Sequence, residues 1–118
     1  FIQYTHARIR SVLAKADYKT RILSNHSLEL TILERELIVN LSKYPDVISA
    51  AAKEYSPAHI ANYVFELAKL FNKFYHEESI LKAEDTSVRN FRLDLAAATA
   101  SVVNKGMALL GIRVPSRM

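Results

Sequence analysis

The chain of 118 residues has no cysteine, only two glycines and only three prolines. Without cysteine there is no disulfide framework, no thiolate nucleophile and no sulfur-ligated metal site. So few glycines leave no phosphate-cradling glycine-rich loop, and so few chain breakers exclude a turn-rich β architecture. No apolar run approaches the ~20 residues that span a bilayer, so no membrane partner is expected. The opening residues also lack the basic stretch and apolar core of a secretory leader. With the missing cysteines, this makes a cytoplasmic setting the expectation. The sequence starts at Phe1, inside what reads as a helix, with neither an initiator methionine nor a capping residue. It is therefore expected to be a fragment of a longer protein.

What remains is rich in helix formers. Half of the residues are hydrophobic, enough for one domain over residues 1–118 to bury a core without staples. The expected class is all-α, a single bundle of about five helices. The net charge of +4 is unevenly spread. Residues 1–26 carry five bases (Arg8, Arg10, Lys15, Lys19, Arg21) against Asp17, and residues 86–118 carry five (Arg89, Arg92, Lys105, Arg113, Arg117) against Asp94. Residues 27–55 and 56–85 each hold three bases and five acids. If the first and last helices pack side by side, the domain gains one basic side, the layout that a polyanion binder needs. The same pattern also arises by chance in small domains.

Periodicity places the helices. Ile2, Thr5, Ile9, Val12, Leu13 and Ala16 share one face at about 100° per residue. Residues 17–27 lose that period and read as a loop. Thr31 and Glu34 form a T-x-x-E capping box for a helix carrying Leu33, Leu37, Ile38 and Leu41. Tyr44-Pro45 is expected to stop that helix, and Asp46 to cap a shorter one with Val47, Ile48 and Ala51. Ser56-Pro57 opens a helix with Ile60, Val64, Leu67, Ala68, Phe71 and Tyr75 at helical spacing, running to about Tyr75 or His76. Glu77 to Asp85 reads as a connection. Thr86 or Ser87 is expected to cap a last helix through Leu110, with Leu93, Ala96, Ala97, Ala100, Val103 and Met107 on its apolar face and Gly111 as its stop.

No catalytic constellation is present. His6, His26, His59 and His76 are scattered among segments without H-E-x-x-H spacing or an acid partner, and read as surface or partly buried histidines. Glu77 and Glu78 read as acids of a solvated loop. A stripe on the first helix is a stronger candidate: Phe1, Tyr4, Arg8 and Lys15 fall within ~60° of one another, beside the apolar face. Unpaired RNA bases are held by stacking on aromatic rings or guanidinium planes while cations meet the phosphates. On wheel geometry alone, Tyr4 is equally a core-edge tyrosine and Arg8 a solvated charge. The residues by themselves leave open an RNA-binding domain, a helical protein–protein interaction module that docks a partner helix, and a helical enzyme.

Four stretches carry a resemblance. Gln3-Tyr4-Thr5-His6-Ala7-Arg8 looks like a Q-Y-A-H-x-R helix, and residues 34–41 like E-x-x-L-I-x-x-L. Pro57 to Tyr75, with Asn62-Tyr63, Glu66-Leu67-Ala68 and Phe71-Asn72-Lys73-Phe74-Tyr75, looks like N-Y-L-x-E-L-A-x-x-F-x-x-F-Y. Asn104 to Ile112, followed by Pro115-Ser116-Arg117-Met118, looks like N-G-x-x-L-L-G with a terminal P-x-R-M. Together, in this order and over nearly the whole chain, they resemble the C-terminal, DALR-type anticodon-binding domain of arginyl-tRNA synthetases, a class I synthetase family. The letters D-A-L-R do not occur before Phe91-Arg92-Leu93, and near Ser79 the chain lacks an aromatic that some members have. Arg92 reads as a structural residue tied to an acidic neighbour.

The resemblance implies a parent enzyme that uses ATP and magnesium to activate arginine and ligates it to the 3′ end of its tRNA. The H-I-G-H and K-M-S-K-S nucleotide motifs of that family's catalytic domain do not occur in this sequence, so no catalytic residue and no cofactor is expected in it. Its implied partners are the anticodon stem-loop of arginine tRNA and the catalytic domain of the same parent. Carried over by motif, the tRNA-binding residues are Phe1, Tyr4 and Tyr75 as stacking platforms, Arg8 as a phosphate or base contact, and Met118 at the loop.

Overall fold

The computed structural model describes residues 1–18 and 30–111. Among them lie five helices: α1 Ile2–Lys15, α2 Ile32–Ser42, α3 Tyr44–Glu54, α4 Pro57–Glu77 and α5 Thr86–Leu109. Of the loop expected over residues 17–27, residues 19–27 lie outside the described residues, as does the tail 112–118 with Met118.

α4 is the centre of the bundle. It packs on α1, α2, α3 and α5, while α1 also packs along α5. Its residues Val64, Leu67, Ala68, Phe71 and Phe74 are fully buried. The side-by-side placement of the first and last helices, on which the charge argument depends, is therefore present. α1 buries the face its periodicity marks, with Thr5, Ile9, Val12 and Leu13 inside and Ile2 and Ala16 packed at the margin. α5 buries a wider arc than its apolar stripe, adding Leu95, Thr99 and Gly106, because α1, α2 and α4 all lie against it.

The caps show where local rules hold and where they yield. At α2 the box is complete: Glu34 N–H donates to Thr31 Oγ1 at 3.2 Å, and Thr31 N–H donates to Glu34 Oε1 at 2.8 Å. The expectation for Asp46 is corrected, since α3 already begins at Tyr44, Lys43 stands at its N-cap without a side-chain bond, and Asp46 sits in the first turn. The first turn needs no N–H from Pro45, so proline there opens a helix instead of breaking the chain. Only Lys43 separates α2 from α3. At α5 the cap is Asp85, one residue before the expected Thr86: its Oδ1 accepts from Ser87 N–H at 2.8 Å. Ser56 holds the N-cap position of α4 without a side-chain bond, and that helix runs to Glu77. Gly111 follows α5 with φ of +78°, the left-handed stop its position requires.

Arg92 has the structural role its sequence context suggests, and a larger one. Its Nε donates to Glu34 Oε2 at 3.0 Å, its Nη1 to the Ser79 carbonyl at 2.6 Å, and Nη2 lies 3.7 Å from Glu78 Oε2. Thr31 Oγ1 also donates to Glu78 Oε2, at 2.9 Å. Glu78 is thus a tie between α2, α5 and the connection before α5, which corrects its reading as a solvated acid. Tyr63 donates to the Asn40 carbonyl at 2.7 Å, and burial, with Tyr44 adding to it, pushes its phenol up to about 12.

Where α5 crosses α4, a Cβ on Gly106 would stand 2.6 Å from Val64 Cγ2. Val64 is fully buried and β-branched, with little freedom to yield. Mid-helix Gly→Ala gains about 0.5–1 kcal/mol on propensity, whereas overpacking costs about 1–3 kcal/mol. Gly106→Ala is therefore expected to lower stability in urea unfolding, and adding Val64→Ala should cost less than the two single changes combined. Leu37, also fully buried, is expected to cost about 2–5 kcal/mol on truncation to Ala in the same measurement. Unchanged midpoints would show that these faces are not the core.

Candidate nucleic-acid interface

The exposed edge of α1 runs beside α4 with both helices pointing the same way: Phe1 meets Phe65, and Arg8 meets Asn72, Tyr75 and His76. Arg8 is the hub. Its guanidinium carbon lies 4.8 Å from the ring centroid of Tyr4 and 4.7 Å from that of Tyr75. Its Nη2 donates to the Tyr4 hydroxyl at 3.0 Å and its Nη1 to Asn72 Oδ1 at 2.8 Å, with His76 Nε2 at 3.5 Å. Cation–π contacts at such half-open sites contribute about 0.5–1 kcal/mol each, and the hydrogen bonds a similar amount each. Together they hold a long side chain in one orientation.

Asn72 sets that orientation. Its Nδ2 donates to Thr5 Oγ1 at 2.7 Å and to the Ala68 carbonyl at 3.0 Å, which leaves Oδ1 facing Arg8. Thr5, fully buried, in turn donates to the Phe1 carbonyl at 3.0 Å. Two acceptors on one end of the amide determine which way it points, and a cation on the other end agrees.

Tyr4, Arg8, Ser11, Lys15 and Tyr75 line a cleft of about 330 Å³ beside this hub. Arg8 and Lys15 are the charged groups in its described walls. A larger groove of about 910 Å³ lies on the other flank of α1, against α5. Its charges are mixed, with both Arg10 and Asp17 in the lining, and the hydroxyl of its Tyr18 donates to Asp94 at 2.9 Å. Aromatic faces and unopposed cations together are what a single-stranded nucleic acid requires, and the smaller cleft has both.

The sequence candidates are thus partly brought together. Tyr4, Arg8 and Tyr75 form one cluster. Phe1 stands apart from Arg8 in a ring contact with Phe65, at 5.6 Å between centroids. Tyr75 is only half a platform, because Arg8 covers one face and it packs on Phe71 and His76. His59 pairs with Glu54. Asn72, Thr5, Phe65 and Lys69 are the contacts that sequence reasoning missed. Helical spacing carried one signal: Phe65, Lys69, Asn72 and His76 share a stripe of α4 that borders the buried face on its Ala68 side.

A helical domain with an exposed edge of rings and cations has the makings of an RNA-binding domain. The family described as DALR anticodon binding domain matches residues 2–118, and the chain belongs to it. It is 49% identical to the arginine–tRNA ligase of Parabacteroides distasonis and 46% identical to that of Porphyromonas gingivalis, over all of this chain and 20% of each relative. Its structure is similar to the arginyl-tRNA synthetase of Thermus thermophilus, with a TM-score of 0.86 at 31% identity, over 99% of this chain and 20% of that one. A putative arginyl-tRNA synthetase from Campylobacter jejuni gives 0.88 at 27% identity, over 99% and 26%. The chain therefore spans about a fifth of the length of the curated relatives it matches.

The role of Asn72 is testable without a ligand. Asn72→Leu keeps the volume and removes both ends of the amide, and is expected to cost about 1–3 kcal/mol for the partners left unpaired. The Nη nitrogens of Arg8, anchored separately in the parent, should then average in nitrogen-15 NMR. Unaltered guanidinium signals would show that the rings alone hold Arg8.

Proposed function

We propose that residues 1–118 act as the anticodon-binding domain of a longer arginine–tRNA ligase, and that Arg8 with its two tyrosines forms the centre of the RNA surface. The observation that carries this reading is a guanidinium fixed between two rings on an exposed edge, in a chain of the DALR anticodon-binding family. Tyr4 is half exposed and offers the ring face turned away from Arg8 to an unpaired base. Arg8 keeps N–H donors beyond the two bonded to Asn72 and Tyr4, since a guanidinium has five. Those donors and Lys15 meet the phosphates of the loop. Tyr75 supports Arg8 from below, and Phe1 and Met118 complete the set of proposed contacts at the two ends of the chain.

Gripping the anticodon loop fixes the register in which the acceptor end of the tRNA reaches a distant active site, so binding energy gained here serves the reaction there. Activation of arginine with ATP and magnesium belongs to the part of such a ligase that this chain does not span, and its setting would be the cytoplasm. Among the described residues, no helix is long and apolar enough to cross a membrane.

Salt provides the test. Affinity for the anticodon stem-loop of arginine tRNA is expected to fall steeply with ionic strength, because each phosphate neutralised in a single strand contributes about −0.7 to the slope of log K against log salt. Arg8→Ala should weaken binding and flatten that slope while the helical bundle is kept, the lost ring contacts and hydrogen bonds together costing up to about 2–4 kcal/mol in melting. Salt-insensitive association, or equal affinity of parent and variant in fluorescence titration, would instead favour a protein-docking module.

A further inference from the structure

We infer that the outer side of α2, where Ile32 and Val39 meet Leu70 of α4, is the face on which the remainder of a longer arginine–tRNA ligase docks. This rests on the reading of the chain as one part of such a ligase, and adds the surface that joins the part to the whole.

The residues of α2 set the problem. Leu33 and Leu37 are buried in the core, whereas Val39 is 52% and Ile32 76% exposed. At about 100° per residue, Ile32 and Val39 share one line along the helix, and Val39 points about 160° away from Leu37. A helix that is apolar on opposite sides belongs in surroundings that cover both. One side of α2 is covered by α4 and α5. The other meets nothing among the described residues.

Ile32, Val39 and Leu70 line a groove of about 410 Å³, together with Asn40 and the charged Arg35, Glu36 and Lys43. Asn40 Oδ1 is buried and has no partner among the described residues. An apolar centre, charges of both signs around it and an acceptor lacking a donor are the anatomy of a protein interface. An RNA strand would require rings and unopposed cations, and this lining has no ring and includes an acid. The occupant is therefore an apolar strip of protein with a hydrogen-bond donor for Asn40 and its own charges at the margin.

The chain covers 20% of the arginine–tRNA ligases it resembles, so in such a protein most of the polypeptide lies outside it. A second copy of this chain fits less well. These few aliphatic side chains fall short of the ~800 Å² that each partner of a stable free complex buries. A tethered neighbour, present at a roughly millimolar effective concentration, needs far less. Leu70 and Asn72 point about 200° apart on α4, so the groove and the Arg8 hub open on opposite flanks of that helix and can be occupied together. Docking also supplies what a grip on the anticodon loop requires. Domains joined by a linker alone move freely, and only a domain held at a fixed angle can set the register at a distant active site.

Residues 1–118 contain no cysteine, so Val39→Cys and Ser11→Cys each place one thiol in the domain, the second on the RNA edge. Alkylation by iodoacetamide can be followed by mass spectrometry of the peptide that carries it. In the full-length ligase the Val39→Cys thiol is expected to react at least about tenfold more slowly than the Ser11→Cys thiol, since its reaction waits for the face to open. In residues 1–118 alone, with melting curves like the parent's, the two should react alike. Ile32→Gln combined with Val39→Gln should lower kcat/KM for charging arginine tRNA by about tenfold in the full-length ligase, and leave the affinity of residues 1–118 for the anticodon stem-loop unchanged. Equal alkylation of the two thiols in the full-length ligase would overturn the docking face and leave the RNA surface standing. Alkylation of Val39→Cys in residues 1–118 that slows as their concentration rises would assign the face to a second copy and overturn it as well. The labelling uses no RNA, so a failure to bind the stem-loop is a separate result.

Discussion

Burial of one whole face of α4 is the constraint from which the rest of the molecule follows. A helix with Val64, Leu67, Ala68, Phe71 and Phe74 all closed to water needs neighbours along that face, and α1, α2, α3 and α5 supply them. Its other face stays exposed, and Phe65, Lys69 and His76 lie along the edge of that face nearest α1. α1 lies beside that edge, and its own polar flank therefore faces the same water. The seam between the two helices is where side chains from distant parts of the sequence can act together. The close crossing with α5 at Gly106 adds to this by removing the slack that would let α4 rotate.

Two arginines illustrate how surroundings divide a residue type between tasks. Arg92 spends its guanidinium on Glu34, Glu78 and the Ser79 carbonyl, all within the fold, and its side chain is 14% exposed. Arg8 meets no acid among the described residues: its partners are Asn72, His76 and the two tyrosines. Partners without negative charge orient the group without cancelling its own, so its field reaches outward to any polyanion. A carboxylate in place of Asn72 would orient it as well and silence it.

Much of this was legible in the chain. The apolar face of α1, the complete capping box at Thr31 and Glu34, the start of α4 at Pro57 and the stop at Gly111 all follow from spacing and backbone chemistry. The errors are local: Asp46 and Thr86 lost their capping roles because Pro45 fits a first turn and Asp85 stood one residue earlier. Family likeness pointed to Tyr4, Arg8 and Tyr75, but not to their stacking on one another, since no periodicity within one helix reports what a second helix places opposite. Asn72 lay inside a recognised motif and was passed over for the same reason. A polar residue at the edge of an apolar stripe looks solvated until its partner across the seam is known.

Thr5 buries a hydroxyl that is bonded at once to the Phe1 carbonyl and to the amide of Asn72. The hub is thus assembled from two helices and exists only while α1 is seated. A chain in which the opening helix has frayed would retain most of its helical content yet have no guanidinium between rings. Whatever occupies the seam must hold the helix down, by the same mass action through which any ligand favours the state that binds it. Occupancy and local order at the start of this domain are therefore one equilibrium observed in two ways.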